Sequence, residues 1–163
     1  MEIRIRGYKS SDAREAAEIW NRVVEDGEAF PQLETLTEET AEVFFSGQSF
    51  TGIAYDAESS EIAGLYILHP NNVGRCGHIC NASYAVRADL RGQQIGEKLV
   101  SHCMEKGREL GFRILQFNAV VRSNTRALRL YEKMGFVRQG IIPSRFLMID
   151  GPSEHIIPPS HAQ

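Results

Sequence analysis

A polar turn between an apolar strand end and an amphipathic helix is the stretch of this chain best suited to bind an anion. The turn reads Arg91-Gly92-Gln93-Gln94-Ile95-Gly96 and follows the segment Tyr84-Ala85-Val86, which is typical of a strand end. Ile95, Leu99 and Cys103 then recur every four residues, which predicts a helix that starts in the turn. The first N–H groups of a helix lack partners within it and lie at the positive end of its dipole. This order of elements therefore predicts a phosphate cradle.

Two glycines, Gly92 and Gly96, would let the backbone of this turn approach a ligand closely. The turn is not a P-loop, because no Gly-Lys-Ser/Thr sequence follows it. It also lacks the third glycine of the dinucleotide-binding pattern Gly-x-Gly-x-x-Gly. The predicted cradle is therefore of a different kind from both of these nucleotide-binding loops.

A second stretch, from Asn124 to Phe136, combines a helix cap with a tyrosine inside the helix. Asn124 is a favourable first cap, Ala127 and Tyr131 share one helical face, and Gly135 ends the pattern. A tyrosine on an amphipathic helix is more often a core residue than a catalytic one. From the residues alone, Tyr131 is either a packed aromatic side chain or a phenol that faces a site.

The two stretches together resemble motifs of the GNAT superfamily of N-acetyltransferases, which use acetyl-CoA. The turn is similar to the family's pyrophosphate loop, Arg/Gln-x-x-Gly-x-Gly/Ala, although Gln94 stands where that pattern usually has glycine. The stretch from Asn124 to Phe136 is similar to the family segment Asn-x-x-Ala-x-x-x-Tyr-x-x-x-Gly-Phe. The resemblance covers most of the chain and is weakest at both ends. It implies an acetyl-CoA-dependent N-acetyltransferase.

The resemblance also implies which residues hold acetyl-CoA. Backbone N–H groups of the turn would bind the pyrophosphate, and Arg91 would add positive charge. A backbone N–H near Tyr84 would polarise the thioester carbonyl, and the backbone of Ala85 and Val86 would pair with the pantetheine arm like an added strand. Asn124 would contact the cosubstrate as well as cap its helix. The expected cosubstrate-binding residues are Tyr84, Ala85, Val86, Arg91, Gly92, Gln93, Gln94, Ile95, Gly96, Asn124, Ala127 and Tyr131.

Within this resemblance, Tyr131 is the expected general acid for the leaving thiolate. A phenol has an ordinary pKa of about 10, close enough to that of a thiol to supply a proton. The general base is less evident, because the strand from Ile79 to Ser83 lacks the glutamate that many family members carry there. Base catalysis would then depend on ordered water, relayed by Asn81, Ser83 or a loop glutamate such as Glu28.

Two asparagines, Asn81 and Asn118, complete the expected catalytic set. Both fall within predicted strands, where asparagine is disfavoured, so each is either a satisfied buried amide or a substrate contact. The pair distantly resembles asparagines that hold the acceptor in acetyltransferases acting on proline analogues and other small amines. The amine of a small molecule or amino-acid-like compound is therefore the expected acceptor. A non-catalytic acyl-CoA-binding regulatory module and a protein or peptide N-acetyltransferase remain the alternatives.

The expected acceptor is positively charged or zwitterionic. Four acidic residues flank the loop after the first predicted helix, a loop that lines the acceptor side in family members, and opposite charge steers a ligand. A solvated acidic loop is the alternative interpretation. The four residues are Glu25, Asp26, Glu28 and Glu34.

No metal site is expected. Cys76, His78 and Cys80 would share one strand face, but zinc needs about four ligands and no fourth is evident. The odd number of cysteines, three, has no disulfide-framework spacing, which favours a reducing, cytoplasmic compartment. A net charge of −3 gives no reason to expect nucleic acid or an anionic membrane as the main partner. A homodimer is compatible with the sequence.

Hydrophobic periodicity predicts the elements that position these residues, in the order β-α-α-β-β-β-α-β-α-β with further short strands. The sequence Asp12-x-x-Glu15 resembles a capping box before the first helix. With the resemblance, this order implies an α/β (α+β) fold of the GNAT type. Its central sheet is mixed and mostly antiparallel, with helices on both faces and a V-shaped splay between strands 4 and 5, here His78–Val86 and Arg113–Val121.

Residues 1–157 are expected to form a single N-acetyltransferase domain. Residues 158–163 are expected to be a frayed tail, because Pro158-Pro159 cannot continue a central strand.

Overall fold

The chain forms nine strands and four α-helices in a computed structural model that describes residues 1–163. In chain order they are β1 (Ile3–Gly7), α1 (Ala13–Asp26), α2 (Glu38–Ser46), β2 (Phe50–Asp56), β3 (Ile62–Pro70), β4 (Ile79–Val86), α3 (Ile95–Glu109), β5 (Ile114–Gln116), α4 (Thr125–Lys133), β6 (Val137–Arg138), β7 (Ile142–Leu147), β8 (Ser153–Ile156) and β9 (Pro159–Ala162). None of the helices is both long enough and apolar enough to cross a membrane.

Seven strands form one twisted sheet in the order β1-β2-β3-β4-β5-β9-β6, and β7 and β8 form a separate two-stranded sheet. Every neighbouring pair in the large sheet is antiparallel except β4 and β5, which are parallel. This arrangement confirms the predicted mixed, mostly antiparallel sheet.

Helices cover both faces of the large sheet. On one face, α1 and α2 bury an aromatic cluster in which the ring centroid of Trp20 lies 4.3 Å from Phe30 and 5.9 Å from Phe45. On the other face, Leu99 of α3 packs in a second buried cluster with Tyr66 of β3. Because both faces are covered, β3 is buried at every position from 62 to 68.

The parallel strands β4 and β5 separate soon after they start. They pair at only two positions, through Ile79 and Cys80 of β4, so the rest of β4 has no neighbour on that side. The strand predicted over 113–121 is therefore much shorter in the structure. The chain after β5 turns away from β4, and Val121 forms an isolated bridge with Ile156 of β8. This separation is the predicted splay, and it leaves the end of β4 open to a cavity.

The expectation of a frayed tail is wrong, because β9 lies inside the large sheet between β5 and β6. The two prolines fit there because each supplies only its carbonyl. Phe117 donates its N–H to the Pro159 oxygen at 3.0 Å, and Gln139 donates to the Pro158 oxygen at 2.9 Å. Pro159 is also the first residue of its strand, a position that tolerates proline. A further hydrogen bond, from Gln163 N–H to a carbonyl at the start of β5, extends this pairing.

Candidate active site

A cavity of about 700 Å³ opens beside the free end of β4. Its walls come from the end of α1 and the loop after it, the turn before α3, the first two turns of α4, and the segment after β7. Most of the residues singled out from the sequence line this cavity. They are Tyr84, Val86, Arg91, Gly92, Gln94, Gly96, Asn124, Ala127 and Tyr131.

The turn before α3 has the backbone shape that an anion cradle requires. Gly92 has a φ of 87°, and a Cβ added there would have no atom within 4 Å, so the backbone faces open space. Gln94 is the N-cap of α3 and adopts the left-handed region at φ 61° and ψ 13°. Gly96 lies in the first turn of the helix, where N–H groups have no acceptor within the helix, and it lines the cavity. The residues present therefore fit a phosphate group.

Arg91 and Asp26 connect the turn to the end of α1. Arg91 Nη2 lies 3.3 Å from Asp26 Oδ2, and both side chains line the cavity. Arg22 approaches the other oxygen of the same carboxylate at 3.3 Å. Ion pairs as exposed as these contribute little to stability. Arg91 can therefore exchange Asp26 for a phosphate with little loss of folding free energy.

Tyr131 reaches the cavity from α4 and is surrounded by aromatic rings. Its ring centroid lies 4.4 Å from Phe117, 5.6 Å from Phe136 and 6.4 Å from Tyr84. Burial raises the pKa of Tyr131 above its ordinary value, so the phenol stays protonated at neutral pH. A neutral phenol in a cavity wall can donate a proton.

Asn124 serves as the helix cap that the sequence predicts. Its side-chain oxygen accepts a hydrogen bond of 3.2 Å from the Ala127 N–H, and it also lines the cavity. Capping uses one lone pair of the amide oxygen and leaves the amide N–H₂ group available. The cap and a contact with a ligand are therefore compatible.

A family model described as the acetyltransferase (GNAT) family matches residues 14–136. The chain belongs to the GNAT family. The resemblance drawn from the pyrophosphate loop and the Asn124 segment is thereby confirmed.

Known relatives of this GNAT protein agree with the family match. The chain is 31% identical over 137 residues to "N-acetyltransferase aca1" of Schizosaccharomyces pombe. This match covers 75% of this chain and 66% of that relative. The chain thus spans slightly less than two thirds of that relative's length. A GCN5-related N-acetyltransferase from Kribbella flavida has a TM-score of 0.90 at 27% identity, covering 99% of this chain and 98% of that one. The structure of yncA, a putative acetyltransferase from Salmonella typhimurium with acetyl-CoA, has a TM-score of 0.91 at 16% identity, covering 99% and 94%.

The unusual Gln94 of this GNAT loop occupies a position with a positive φ, which explains why glycine is frequent there. A β-branched side chain is strongly disfavoured in this region. We expect Gln94→Val to lower the free energy of unfolding by about 1–3 kcal/mol, and Gln94→Gly to leave it unchanged or raise it. Urea denaturation of both variants measures this difference.

The neighbouring exposed residue Gln93 provides the control, because its φ is not positive. Gln93→Val should lower the free energy of unfolding far less than Gln94→Val. Equal losses at the two positions would contradict the backbone explanation.

Five residues predicted from the sequence do not have side chains in the cavity wall. Ala85 and Ile95 are each 1% exposed in the core, so only their backbone can take part, and Gln93 is exposed. Asn118 is exposed and donates to the side chain of Asn71 at 2.5 Å. Asn81 is paired with His69 across the β3–β4 ladder. Neither asparagine is among the residues that line this cavity.

Several cavity residues could not be found from the sequence. Met148 reaches the wall from the segment after β7, far along the chain from α1. A Cβ added to Gly27 would lie 2.6 Å from Ile149 Cβ, so this segment packs tightly on the loop after α1. Glu97 lines the cavity and pairs with Lys133 of α4 at 2.7 Å. Further lining residues are Val23, Ala29, Ser123, Thr125, Arg126 and Leu130.

No group of three or more His, Cys, Asp or Glu residues could hold a metal ion. Cys76 is exposed, whereas Cys80 is buried and donates its thiol to the Ile114 carbonyl at 3.3 Å. Cys76, His78 and Cys80 therefore do not form a common site.

Proposed function

We propose that this protein transfers an acetyl group from acetyl-CoA to the amine of a small-molecule acceptor by direct attack. One observation carries the proposal: a single cavity brings together the turn before α3, the cap residue Asn124 and the phenol of Tyr131. The turn and the α4 residues Asn124 and Tyr131 come from two separate parts of the chain, and the reaction needs both at one place.

The cosubstrate end of the cavity is suited to phosphate. The turn around Gly92 and Gly96 offers open backbone and the positive end of the α3 dipole. Arg91 in the turn and Arg126 in the first turn of α4 also line the cavity and add positive charge. Acetyl-CoA, when bound, supplies the thioester for the reaction and the thiol that leaves.

The chain's own residues then serve the acetyl transfer. The free edge of β4 presents backbone N–H and C=O groups at the splay. These groups suit pairing with the extended pantetheine arm and a hydrogen bond that polarises the thioester carbonyl. Tyr131 holds the proton that the leaving thiolate needs. Val23, Ala29 and Met148 add apolar surface to the cavity wall, which suits an acceptor. The proposal does not use Asn81 or Asn118, because neither lines the cavity.

Release of free thiol from acetyl-CoA in the presence of amines tests the proposed function. Spermidine, L-lysine and aniline form a suitable panel, and mass spectrometry identifies the acetylated product. Amine-dependent thiol release supports the proposal. Acetyl-CoA binding without any release would instead indicate a regulatory binding module, and acetylation of peptides alone would indicate a protein acetyltransferase.

Charge at the acceptor end predicts which amines are preferred. Asp26 and Glu28 line the cavity, whereas Glu25 and Glu34 do not. Asp26 is paired with Arg91 and Arg22, so Glu28 is the one of the four acidic residues that lines the cavity unpaired. We expect kcat/KM for spermidine or L-lysine to exceed that for aniline by about tenfold or more at low salt. The advantage should shrink as salt rises, because ions screen exposed charges. Better turnover of aniline would contradict the electrostatic argument.

A further inference from the structure

The structure distinguishes between the residues that could relay a proton from the acceptor amine. β4 carries no carboxylate from Ile79 to Val86. The sequence leaves Asn81, Ser83 and Glu28 as candidates, and of these only Glu28 lines the cavity. An amide or a hydroxyl is also a far weaker base than a carboxylate.

Glu28 is also the one carboxylate in the cavity wall without a partner. Asp26 pairs with Arg91 and Arg22, and Glu97 pairs with Lys133. The structure gives the Glu28 side chain neither an ion pair nor a hydrogen bond. A carboxylate free of cations is able to accept a proton, whereas one that neutralises an arginine is a poorer base.

The short loop that carries Glu28 is fixed at both ends. Gly27 before it has a left-handed φ of 66° and packs against Ile149. Phe30 after it is 7% exposed and stacks near Trp20 in the core. Glu28 itself is exposed, so a proton that it accepts can leave to water. The loop therefore holds a proton acceptor at a defined place in the wall.

We propose that Glu28 is the general base of the acetyl transfer, an inference that rests on the proposed function. Its carboxylate takes one proton from the acceptor ammonium, directly or through one water, and passes it to solvent. The neutral amine then attacks the thioester carbon, so that a C–N bond forms and the C–S bond breaks. The thiolate takes a proton from the Tyr131 hydroxyl, and Tyr131 recovers one from the nitrogen of the new amide. The net products are the acetamide, CoA thiol and one proton.

Other charged groups share this cavity and bear on the pH dependence. Asp26 and Arg91 neutralise one another, and Glu97 is neutralised by Lys133. Burial raises the pKa of both Tyr84 and Tyr131, so neither loses its proton near neutrality. The other titratable groups that line the cavity are Asp26, Tyr84, Arg91, Glu97, Arg126 and Tyr131.

The test compares Glu28→Gln and Glu28→Asp with the wild type. The acceptor is whichever of spermidine and L-lysine the wild type uses better. At neutral pH, Glu28→Gln should lower kcat about 10²–10⁴-fold, with little change in the acetyl-CoA Kd. The loss should shrink as pH rises, because more of the amine is then already neutral. Glu28→Asp should recover part of the rate.

Glu25→Gln is the matched control, since Glu25 is exposed nearby on α1 and does not line the cavity. A pH–rate profile of Glu28→Gln parallel to the wild-type profile would overturn the proposal, as would a change in KM alone. These results leave the proposed function intact, because the wild type still turns over. No thiol release by the wild type with any amine would overturn both.

Discussion

Replacing Tyr131 by phenylalanine is expected to lower kcat about 10²–10⁴-fold while acetyl-CoA affinity changes little. The change removes one hydroxyl and keeps the ring that packs 4.4 Å from Phe117, so the core should remain intact. The loss belongs to the chemical step, because the leaving thiolate would have no positioned proton donor. Steady-state turnover gives kcat, and a direct titration gives the Kd for acetyl-CoA. The two measurements separate a loss in the chemical step from a loss of binding.

The pH dependence gives this prediction a second readout. An acid catalyst is active while protonated, so a raised pKa moves the loss of activity to higher pH. Burial raises the pKa of Tyr131, and the wild-type rate should therefore not fall through Tyr131 ionisation until the pH exceeds the ordinary phenol value of about 10.

Tyr55→Phe is the control, because Tyr55 lies on β2, outside the cavity wall, and also carries a hydroxyl. It should leave both kcat and Kd unchanged. Turnover of Tyr131→Phe within about threefold of wild type, far below the range for general acids, would show that Tyr131 is only a packing residue.

Replacing Gly96 by valine is expected to abolish stabilisation by acetyl-CoA. In the wild type, ligand at a hundred times its Kd should raise the free energy of unfolding by about 2.7 kcal/mol, or about 5–10 °C in melting temperature. Gly96 lines the cavity in the first turn of α3, and a Cβ there meets only Leu130 at 3.6 Å. Valine would therefore fit the protein but fill the space where a phosphate must approach the backbone.

Thermal unfolding with and without acetyl-CoA measures this effect. The melting temperature of the variant without ligand shows whether folding itself has suffered. Gly7→Ala is a suitable control, since Gly7 lies on β1 and a Cβ there makes only an ordinary contact with Phe50. An acetyl-CoA shift retained in full by Gly96→Val would place the phosphate elsewhere. No shift in the wild type would contradict acetyl-CoA binding altogether.

Local chemistry explains why much of the fold and the cosubstrate half of the site could be predicted. Caps and breakers act within a few residues, so Asn124 caps α4 in the structure as the sequence predicts, and Thr37 and Gly27 likewise mark the start of α2 and the end of α1. The turn from Arg91 to Gly96 is likewise a local feature, with positive φ at Gly92 and Gln94. Even the unusual Gln94 takes the φ that its position demands.

Local patterns fail where a side chain finds a better partner at a distance. The sequence Asp12-x-x-Glu15 suggests a capping box, but Asp12 instead accepts two hydrogen bonds from Arg6, at 2.7 and 2.8 Å. Glu15 accepts the N–H of Ile62 on β3. Pro158 and Pro159 are a similar case, since they suggest a frayed end and instead supply carbonyl groups as hydrogen-bond acceptors.

The sequence by itself predicted the order of the main elements and the turn from Arg91 to Gly96, and it singled out Tyr131 as the candidate acid, because each depends on residues close together in the chain. The tertiary structure alone decided that β9 lies inside the sheet, that Met148 joins the cavity wall and that Asn81 and Asn118 do not. It also decided that Arg91 faces Asp26 while Glu28 is left without a partner. These outcomes depend on which strands pair and on which side chains each loop contacts in the cavity wall. Such contacts join residues far apart in sequence, and short-range propensities carry no information about them.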